Sequence, residues 1–285
     1  MAEQAPKAAK KSGGKPDLAS LGGLILAFGG ILGGLVMEGG KVKDVSQVTA
    51  AIIVLCGTIG AVMVTTPMHT LMGAVKKLSL VFFDRDENPH AMIEEIIGYA
   101  TKARKSGIVS LEHEANAIQN PFLRKALNLA VDGTDLDVIR KTMELQITLE
   151  EHHAEQEAKV FEAAGGYAPT IGIIGAVLGL IQVMKNLANI EEVGHGIAVA
   201  FVATVYGVAV ANLVFLPAAN KLKSRIRQDA QDKELLLEGV CSIVEGMNPK
   251  LIRVKLEAFL QHSSKSKKKA GAQASGAAAP AAAKG

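Results

Sequence analysis

Four long apolar runs dominate the pattern of hydrophobic and polar positions along the chain. They extend over residues 18–37, 45–75, 163–184 and 193–220, and none of them contains Asp, Glu, Lys or Arg. Each has at least the roughly 20 residues that a helix needs to cross a hydrocarbon core about 30 Å thick. Core helices of a large soluble protein are the alternative, but charges bound the runs sharply and the first and third are rich in Gly. The pattern therefore predicts four membrane-spanning helices.

The polar segment between the second and third runs has the pattern of helices. From position 137 to 161, apolar or small residues recur near a period of 3.6, with charges between them. These positions are Ile139, Met143, Ile147, Ala154, Ala158 and Phe161. No helix breaker precedes Gly165 and Gly166, so we predict that this amphipathic helix continues almost directly into the third span.

Short polar motifs predict where the other helices of this segment are interrupted. They are Asn88-Pro89, Ser106-Gly107, Asn120-Pro121 and Asp132-Gly133-Thr134. Pro disrupts a helix interior and Gly readily leaves helical geometry, so each motif marks a break. The segment is thus predicted to be a compact set of helices.

The predicted fold class is all-α, a polytopic membrane protein with four transmembrane helices and a helical cytoplasmic domain between spans two and three. The predicted segments are a disordered cytoplasmic N-terminal tail (1–16), transmembrane helices 1 and 2 (17–75), the cytoplasmic helical domain (76–162), transmembrane helices 3 and 4 (163–220), cytoplasmic C-terminal helices (221–262) and a disordered tail (263–285). Both tails are rich in Ala, Lys, Gly, Ser and Pro, a composition that cannot bury a core. A plain solvated tail is the favoured interpretation, and contact of the tail lysines with anionic membrane lipid is the alternative.

Composition and charge agree with residence in a membrane and set the orientation. Apolar residues make up 49% of the 285, and the mean hydropathy of +0.25 exceeds that of an ordinary soluble domain of this length. Lys and Arg concentrate before the first run, after the second and after the fourth. Because cytoplasmic flanks retain positive charge, we predict that both termini are cytoplasmic.

The sequence lacks the motifs of soluble enzymes. It contains no Gly-rich phosphate loop ending in Lys-Ser or Lys-Thr, no paired Cys motif and no nucleophile elbow. Residues 150–155 include two His and three Glu, but adjacent His side chains on a helix point about 100° apart and chelate a metal poorly. We therefore predict no enzymatic activity, no cofactor, no metal site and no nucleic-acid partner. Cys56 and Cys241 are interpreted as small apolar fillers.

Polar and small residues within the spans indicate packing and a polar path. Thr204 and Tyr206 lie in the middle of span four, where polar side chains usually face a partner or water rather than lipid. Gly172, Gly175 and Gly179 recur at intervals of three and four, which predicts a close-packing face on span three.

The spans lack a carboxylate that could take up an ion. Their titratable candidates, His69 and His195, lie near span ends. A protein that moves ions by itself normally has an ionisable or carbonyl-lined site well inside the membrane. We therefore expect any titrating carboxylate to come from another chain.

Motifs in the spans and in the polar segment have fixed spacings. Positions 169–176 read Pro-x-x-Gly-x-x-Gly-Ala, and Thr204 precedes Pro217 by 13 residues. In the polar segment, Arg104 precedes Glu112 by eight residues in the sequence Arg-Lys-Ser-Gly-Ile-Val-Ser-Leu-Glu.

With these motifs the chain resembles the MotA/PomA family of flagellar stator proteins over nearly all of residues 18–260. The resemblance implies an ion-conducting stator subunit of the bacterial inner membrane, which couples ion flow to torque in motility and chemotaxis. It implies five copies around two copies of a MotB-like partner, a single-span peptidoglycan-binding protein whose Asp takes the ion. Protonation of that Asp would change its preference between neighbouring subunits and let the ring step around the partner.

The resemblance also implies roles for particular side chains along the ion pathway. Thr204, Ala176, Pro169, Pro217 and Tyr206 are expected there. Sodium-type members carry a Thr hydroxyl where Ala176 stands, and sodium needs several oxygen ligands whereas a proton needs one base. We therefore predict H⁺ as the coupling ion, and oxygen atoms from Thr204 and backbone carbonyls keep sodium open as the alternative.

The contact with the rotor protein FliG is expected at the charged motif of the polar segment. By resemblance, Arg104 and Glu112 form this contact, with Lys105 as a weaker candidate. For charges without such a motif, a solvated helix edge would be the alternative.

Two other functions stay open. An ExbB/TolQ-type energiser of an envelope transport or integrity system shares the channel core, but its usual plan has three spans. Four spans and the motif from Arg104 to Glu112 favour the flagellar stator. A passive membrane scaffold is the second alternative, and it would tolerate substitution of Thr204 or Pro169.

Overall fold

The structure is a computed structural model that describes residues 15–84 and 88–260. In chain order its elements are β1 (Lys15–Pro16), α1 (Leu18–Met37), a 3-10 turn (Val42–Val45), α2 (Val48–Thr65), α3 (Met68–Lys77), α4 (Ser79–Phe82), β2 (Phe83–Asp84), α5 (Pro89–Ser106), a 3-10 turn (Ile108–Leu111), α6 (Glu112–Ala117), α7 (Pro121–Val131), α8 (Leu136–Lys185), α9 (Ile190–Val210), a π-helical turn (Ala211–Phe215), α10 (Leu216–Val244) and α11 (249–260). The predicted all-α class is confirmed.

The chain divides into two compact units. The span unit contains residues 15–84 and 154–225, and the helical unit contains residues 88–153 and 226–260. In the span unit, β1 and β2 pair as an antiparallel ribbon of two residues each. The predicted tails lie outside the described residues, apart from positions 15 and 16, which form β1 rather than a disordered end.

Among the described residues, four helical stretches are long and apolar enough to span a membrane, as predicted. The helix α1 begins and ends where the first apolar run does. The second run is longer than its helix, because α2 ends at Thr65 and a new helix, α3, begins at Met68. Pro67 lies between them, and a proline inside a helix would lack an N–H donor and clash with the preceding turn. The second run therefore forms two helices rather than one continuous helix.

The predicted continuation of the amphipathic helix into span three is confirmed. The helix α8 is continuous over 50 residues, and Pro169 lies inside it without ending it. The neighbouring Gly165 and Gly166 also keep helical geometry.

A π-helical turn separates α9 from α10, and its position has a local cause. The turn covers Ala211–Phe215, directly before Pro217. The proline ring would meet the carbonyl group four residues earlier, which belongs to Leu213. A wider turn opens space at that carbonyl, and π-turns are a common way for a helix to absorb such a conflict.

The helical unit is built around large aliphatic side chains. Two of its helices begin at Asn-Pro pairs, in which the Asn side chain accepts backbone hydrogen bonds and the Pro occupies the first helical turn. The most deeply buried large residues of this unit are Ile93, Ile96, Leu111, Leu123, Leu127, Ile139, Met143, Leu235, Leu236, Ile252 and Leu256. Cys241 joins this core as a small filler, whereas Cys56 is exposed on α2, so the filler interpretation was wrong for Cys56.

Candidate ion path and rotor contact surface

Spans three and four pack with their backbones in close approach. A Cβ atom at Gly207 would lie 2.5 Å from the carbonyl oxygen of Ala168, and one at Gly172 would lie 2.8 Å from the carbonyl oxygen of Ala203. Neither distance leaves room for a side chain. Small residues permit this approach in lipid, where packing rather than the hydrophobic effect holds helices together. The predicted close-packing face of span three is confirmed.

The crossing of α8 and α9 places Pro169 against Gly207 and Thr204 against Gly172. A Cβ atom at Gly207 would lie 3.2 Å from the Cα atom of Pro169, and one at Gly172 would lie 3.4 Å from the Cα atom of Thr204. The Thr204 hydroxyl donates to the carbonyl oxygen of Ala200 at 3.3 Å, within its own helix. Thr204 is half-buried, so part of its surface is not covered by the rest of the described chain.

The other residues expected along the ion pathway have different surroundings. Ala176 is half-buried on α8, one residue after Gly175, which packs on Ala203. Pro217 is exposed at the start of α10. The residue before it, Leu216, packs on Gly165, where a Cβ atom would lie 2.6 Å from the Leu216 Cδ2 atom.

Tyr206 has an anchoring role that the sequence pattern did not reveal. Its hydroxyl donates to the carbonyl oxygen of Val45 at 2.5 Å and accepts from the backbone N–H of Gln47 at 3.3 Å. Both residues belong to the connection between spans one and two. The phenol thereby ties span four to the start of α2, and its oxygen is occupied by these two partners.

Ion pairs connect α1, α8 and α10 at the ends of the spans that lie opposite the Tyr206 contact. Asp17, which caps α1, pairs with Lys221 and, at 3.4 Å, with Arg225. The hydrogen bond from Lys221 holds the pKa of Asp17 down at about 2. Glu162 of α8 pairs with Lys223 of α10 at 2.6 Å. In the sequence, these cations indicated only the orientation of the chain in the membrane.

Glu157 is a buried carboxylate that the sequence analysis missed. It lies on α8 with only 5% of its surface exposed, and its Oε2 atom is 2.5 Å from the Lys77 Nζ atom at the end of α3. Gly73 makes room for it, since a Cβ atom there would lie 1.9 Å from the Glu157 Oε1 atom. The spacing of Gly73 and Lys77, one helical turn apart, is the only signal in the sequence that could have indicated this pocket.

The charged motif of the helical unit lies on its surface. Arg104 and Lys105 are exposed in the last turn of α5, and Glu112 is exposed at the start of α6. Gly107 lies between them with φ +81° and redirects the chain, while Leu111 anchors the connection in the core. Within the part of the chain that the structure describes, Arg104 and Glu112 have no ion-pair partner.

A separate ion pair fixes the two helices that carry this motif. Lys102 of α5 pairs with Glu114 of α6, and this contact lowers the pKa of the Glu114 carboxyl group. Arg104 and Glu112 each lie two residues from a member of the pair. Their side chains are thus displayed to solvent from a connection that is fixed on both sides.

Two family models match the chain. A model of the MotA/TolQ/ExbB proton channel family matches residues 114–235, and a model of the motility protein A N-terminal region matches residues 21–106. The second match favours the motility proteins over the ExbB/TolQ alternative.

Curated relatives and solved structures agree with these models. The chain is 37% identical to motility protein A of Bacillus subtilis over 86% of this chain and 91% of the relative. It is 35% identical to chemotaxis protein PomA of Vibrio alginolyticus over 86% of this chain and 95% of the relative.

Among solved structures, C. jejuni MotAB matches with a TM-score of 0.82 and 33% identity, over 85% of this chain and 95% of that chain. The flagellar MotAB stator complex of Bacillus subtilis matches with a TM-score of 0.80 and 34% identity, over 88% of this chain and 99% of that chain. These relatives are ion-channel stator components rather than enzymes, which confirms the prediction that the chain is not an enzyme. The chain belongs to the MotA/TolQ/ExbB proton channel family and, within it, to the motility protein A group of ion-conducting flagellar stator subunits.

Proposed function

We propose that spans three and four of this chain form the wall of a proton path completed by a MotB-like partner. The partner is a single-span, peptidoglycan-binding protein that supplies the titrating Asp. The support comes from the crossing of α8 and α9, where Gly207 packs on Pro169 and Gly172 packs on Thr204, while the spans of this chain contain no carboxylate. The solved relatives are MotAB complexes, in which a second protein accompanies the MotA chain.

In this proposal, five copies of the chain surround two copies of the partner. The exposed surface of the spans supports an assembly of several chains, because α1 has no buried residue and apolar side chains such as Ile25 and Leu26 are more than 70% exposed. Lipid covers part of this surface and other copies cover the rest. Both termini and the helical unit lie on the cytoplasmic side of the bacterial inner membrane, as the distribution of Lys and Arg indicates.

Each of the five path residues has a proposed role that follows from its surroundings. Thr204 presents its hydroxyl beside the crossing, and Ala176 leaves a methyl group where an oxygen ligand for sodium would be needed. Pro169 and Pro217 shape the ends of spans three and four, and the wide π-turn before Pro217 supports a deformable point there. Tyr206 holds span four to the connection between spans one and two.

The helical unit delivers torque through its charged motif. Arg104 and Glu112, with Lys105 beside them, contact the rotor protein FliG in this proposal. Exposed charges without an intramolecular ion-pair partner among the described residues are suited to a partner of complementary charge.

The main experiment compares two threonines in the spans. We expect Thr204→Val to reduce swimming speed strongly in a host whose own stator genes have been deleted and replaced by this gene and its partner. Thr58→Val is the matched control, because the Thr58 hydroxyl also donates to a carbonyl of its own helix, Val54, at 2.6 Å but lies on span two. Equal losses in the two variants, at equal membrane levels, would contradict the proposed path.

The coupling ion is tested on the same strain. If protons drive the motor, a protonophore should stop swimming at neutral pH, and removal of sodium should leave the speed unchanged. Swimming that survives the protonophore and stops without sodium would assign sodium instead. An ExbB/TolQ-type role predicts that deletion of the gene leaves swimming intact and impairs envelope transport or integrity.

A further inference from the structure

The helical unit contains an apolar cavity beside the proposed rotor contact. Its volume is about 370 Å³, and Arg104 is among the lining residues. The apolar lining includes Ala100, Ala103, Ile108 and Met247. Because Arg104 is exposed, the cavity opens to the surface at the motif that the proposed function assigns to the rotor.

The cavity exists because helices end around it. Gly133 follows the end of α7 and Gly246 follows the end of α10, with φ +74° and +71°, and both line the cavity. Glycine leaves no side chain to fill the space, and a left-handed conformation turns the chain away from the helix axis.

Backbone carbonyl groups at these helix ends accept hydrogen bonds from the turns that follow. At the end of α7, the N–H of Thr134 donates to the carbonyl oxygen of Leu129 at 3.1 Å, and at the end of α10 the N–H of Met247 donates to that of Ser242 at 3.1 Å. Gly133 and Gly246 donate to carbonyls in the same two turns. An apolar group can therefore enter without leaving these four carbonyl groups unpaired, which would otherwise cost free energy.

The size of the cavity and the charge at its opening indicate the occupant. A cavity of about 150 Å³ is enough to bind benzene, so this one has room for a large apolar side chain. Arg104 is the charged residue among those that line the cavity. We propose that the cavity receives an apolar side chain of the rotor protein FliG. An acidic side chain of FliG, about one helical turn from the apolar one, pairs with Arg104. This inference rests on the proposed function of Arg104. It adds to the charge contact the burial of one apolar side chain in the cavity, which we call the apolar anchor.

The anchor gives the contact a property that charge alone lacks. Exposed ion pairs contribute little to affinity and weaken with salt, whereas apolar burial is insensitive to moderate salt. A rotor contact made of both parts would keep a salt-independent share of its affinity.

The test measures binding of purified FliG to the full-length chain with its MotB-like partner in lipid nanodiscs. Ala103→Leu fills the cavity from a half-buried position, and we expect it to weaken binding about tenfold, the effect of losing roughly one buried apolar side chain. Ala91→Leu is the matched control, because Ala91 is exposed on the same helix and lies about 18 Å along it from Ala103. Binding by the control should stay within about twofold of the parent.

The Arg104→Glu variant separates this inference from the proposed function. Loss of binding in Arg104→Glu together with unchanged binding in Ala103→Leu would overturn the anchor and leave the charge contact standing. Unchanged binding in both variants would overturn both.

Hydrogen–deuterium exchange on the unsubstituted chain keeps the inference testable if Ala103→Leu fails to fold. Addition of FliG should increase protection of residues 100–108, 130–134 and 243–247. Equal protection of residues 130–134 and 243–247 with and without FliG would overturn the inference.

Discussion

In the helical unit the buried positions are occupied by large aliphatic side chains, whereas in the span unit they are occupied mainly by Ala, Gly and Val. Among the described residues whose large side chains are almost completely buried, Leu222 is the one that belongs to the span unit. Water drives large apolar groups together in the helical unit, but lipid is as apolar as leucine and offers no such force between spans. The span unit therefore depends on close backbone contact and on ion pairs at its ends.

This difference also explains which surfaces are left for partners. The spans leave side chains such as Phe201 and Ile174 exposed, because lipid or other chains can cover them. The helical unit buries a core of large aliphatic side chains and presents charges and the apolar cavity lined by Arg104. Assembly is thus expected to use the spans, and selective contact with the rotor is expected to use the helical unit.

The largest expected effect is on the core of the helical unit. Leu127→Ala removes a side chain with no exposed surface and should cost about 3 kcal/mol in the free energy of unfolding. Leu251→Ala is the control, because Leu251 is 58% exposed in the same unit, and it should cost less than about 1 kcal/mol. Denaturant unfolding of the full chain, monitored by hydrogen exchange in α7, measures both changes in the free energy of unfolding. Similar costs for the two leucines would show that the helical unit has no such core.

The sequence predicted much of the fold because its signals are local. The start of α1 at Leu18, the Asn88-Pro89 and Asn120-Pro121 helix starts and the continuity of α8 all depend on residues within one or two turns. Charge-free runs likewise revealed the spans without any knowledge of packing.

The rest depends on residues that are distant in sequence. The burial of Glu157 requires Gly73 and Lys77 on another helix, and the anchoring of Tyr206 requires the carbonyl of Val45. A helical period shows which face of α8 is apolar, but it cannot show that a glycine on α3 makes space for a carboxylate. For the proposed ion path, the motif spacing identified the candidate residues. Their neighbours became known only from the crossing of α8 and α9 at Gly172 and Gly207.

The next effect tests whether the span unit depends on close backbone contact. Gly207→Ala introduces a Cβ atom 2.5 Å from the Ala168 carbonyl oxygen and should cost about 2 kcal/mol, because the helices must separate. Gly60→Ala is the matched control, since a Cβ atom on Gly60 meets nothing within 4 Å and alanine favours the helix. Thermal unfolding in detergent should show a lower midpoint for the first variant and an unchanged or higher midpoint for the second. The opposite order would refute close packing at this crossing.

A smaller effect is expected where the span unit buries a charge. Gly73→Ala would force the Glu157 carboxylate away from Lys77 and should cost about 1.5 kcal/mol, the value of a hydrogen bond to a charged group. Combining it with Glu157→Ala removes the overlap, so the double variant should be no less stable than Glu157→Ala alone. The comparison is a double-mutant cycle measured by thermal unfolding. Additive losses would mean that Gly73 and Glu157 act independently.

The smallest effect concerns the ion pairs that close the span unit, and it appears as a pH dependence. Lys221 holds the pKa of Asp17 at about 2, below the ordinary value of 3.8, so folding favours the charged carboxylate. The stabilisation is complete above about pH 4 and is lost as the pH falls towards 2; we expect on the order of 1 kcal/mol after solvent screening. Asp17→Asn keeps an acceptor for the backbone N–H groups of Ala19 and Ser20 but has no charge to titrate. The parent should therefore lose more thermal stability than Asp17→Asn between pH 5 and about pH 2.5. Parallel losses would show that the ion pair with Lys221 contributes nothing to the stability of the span unit.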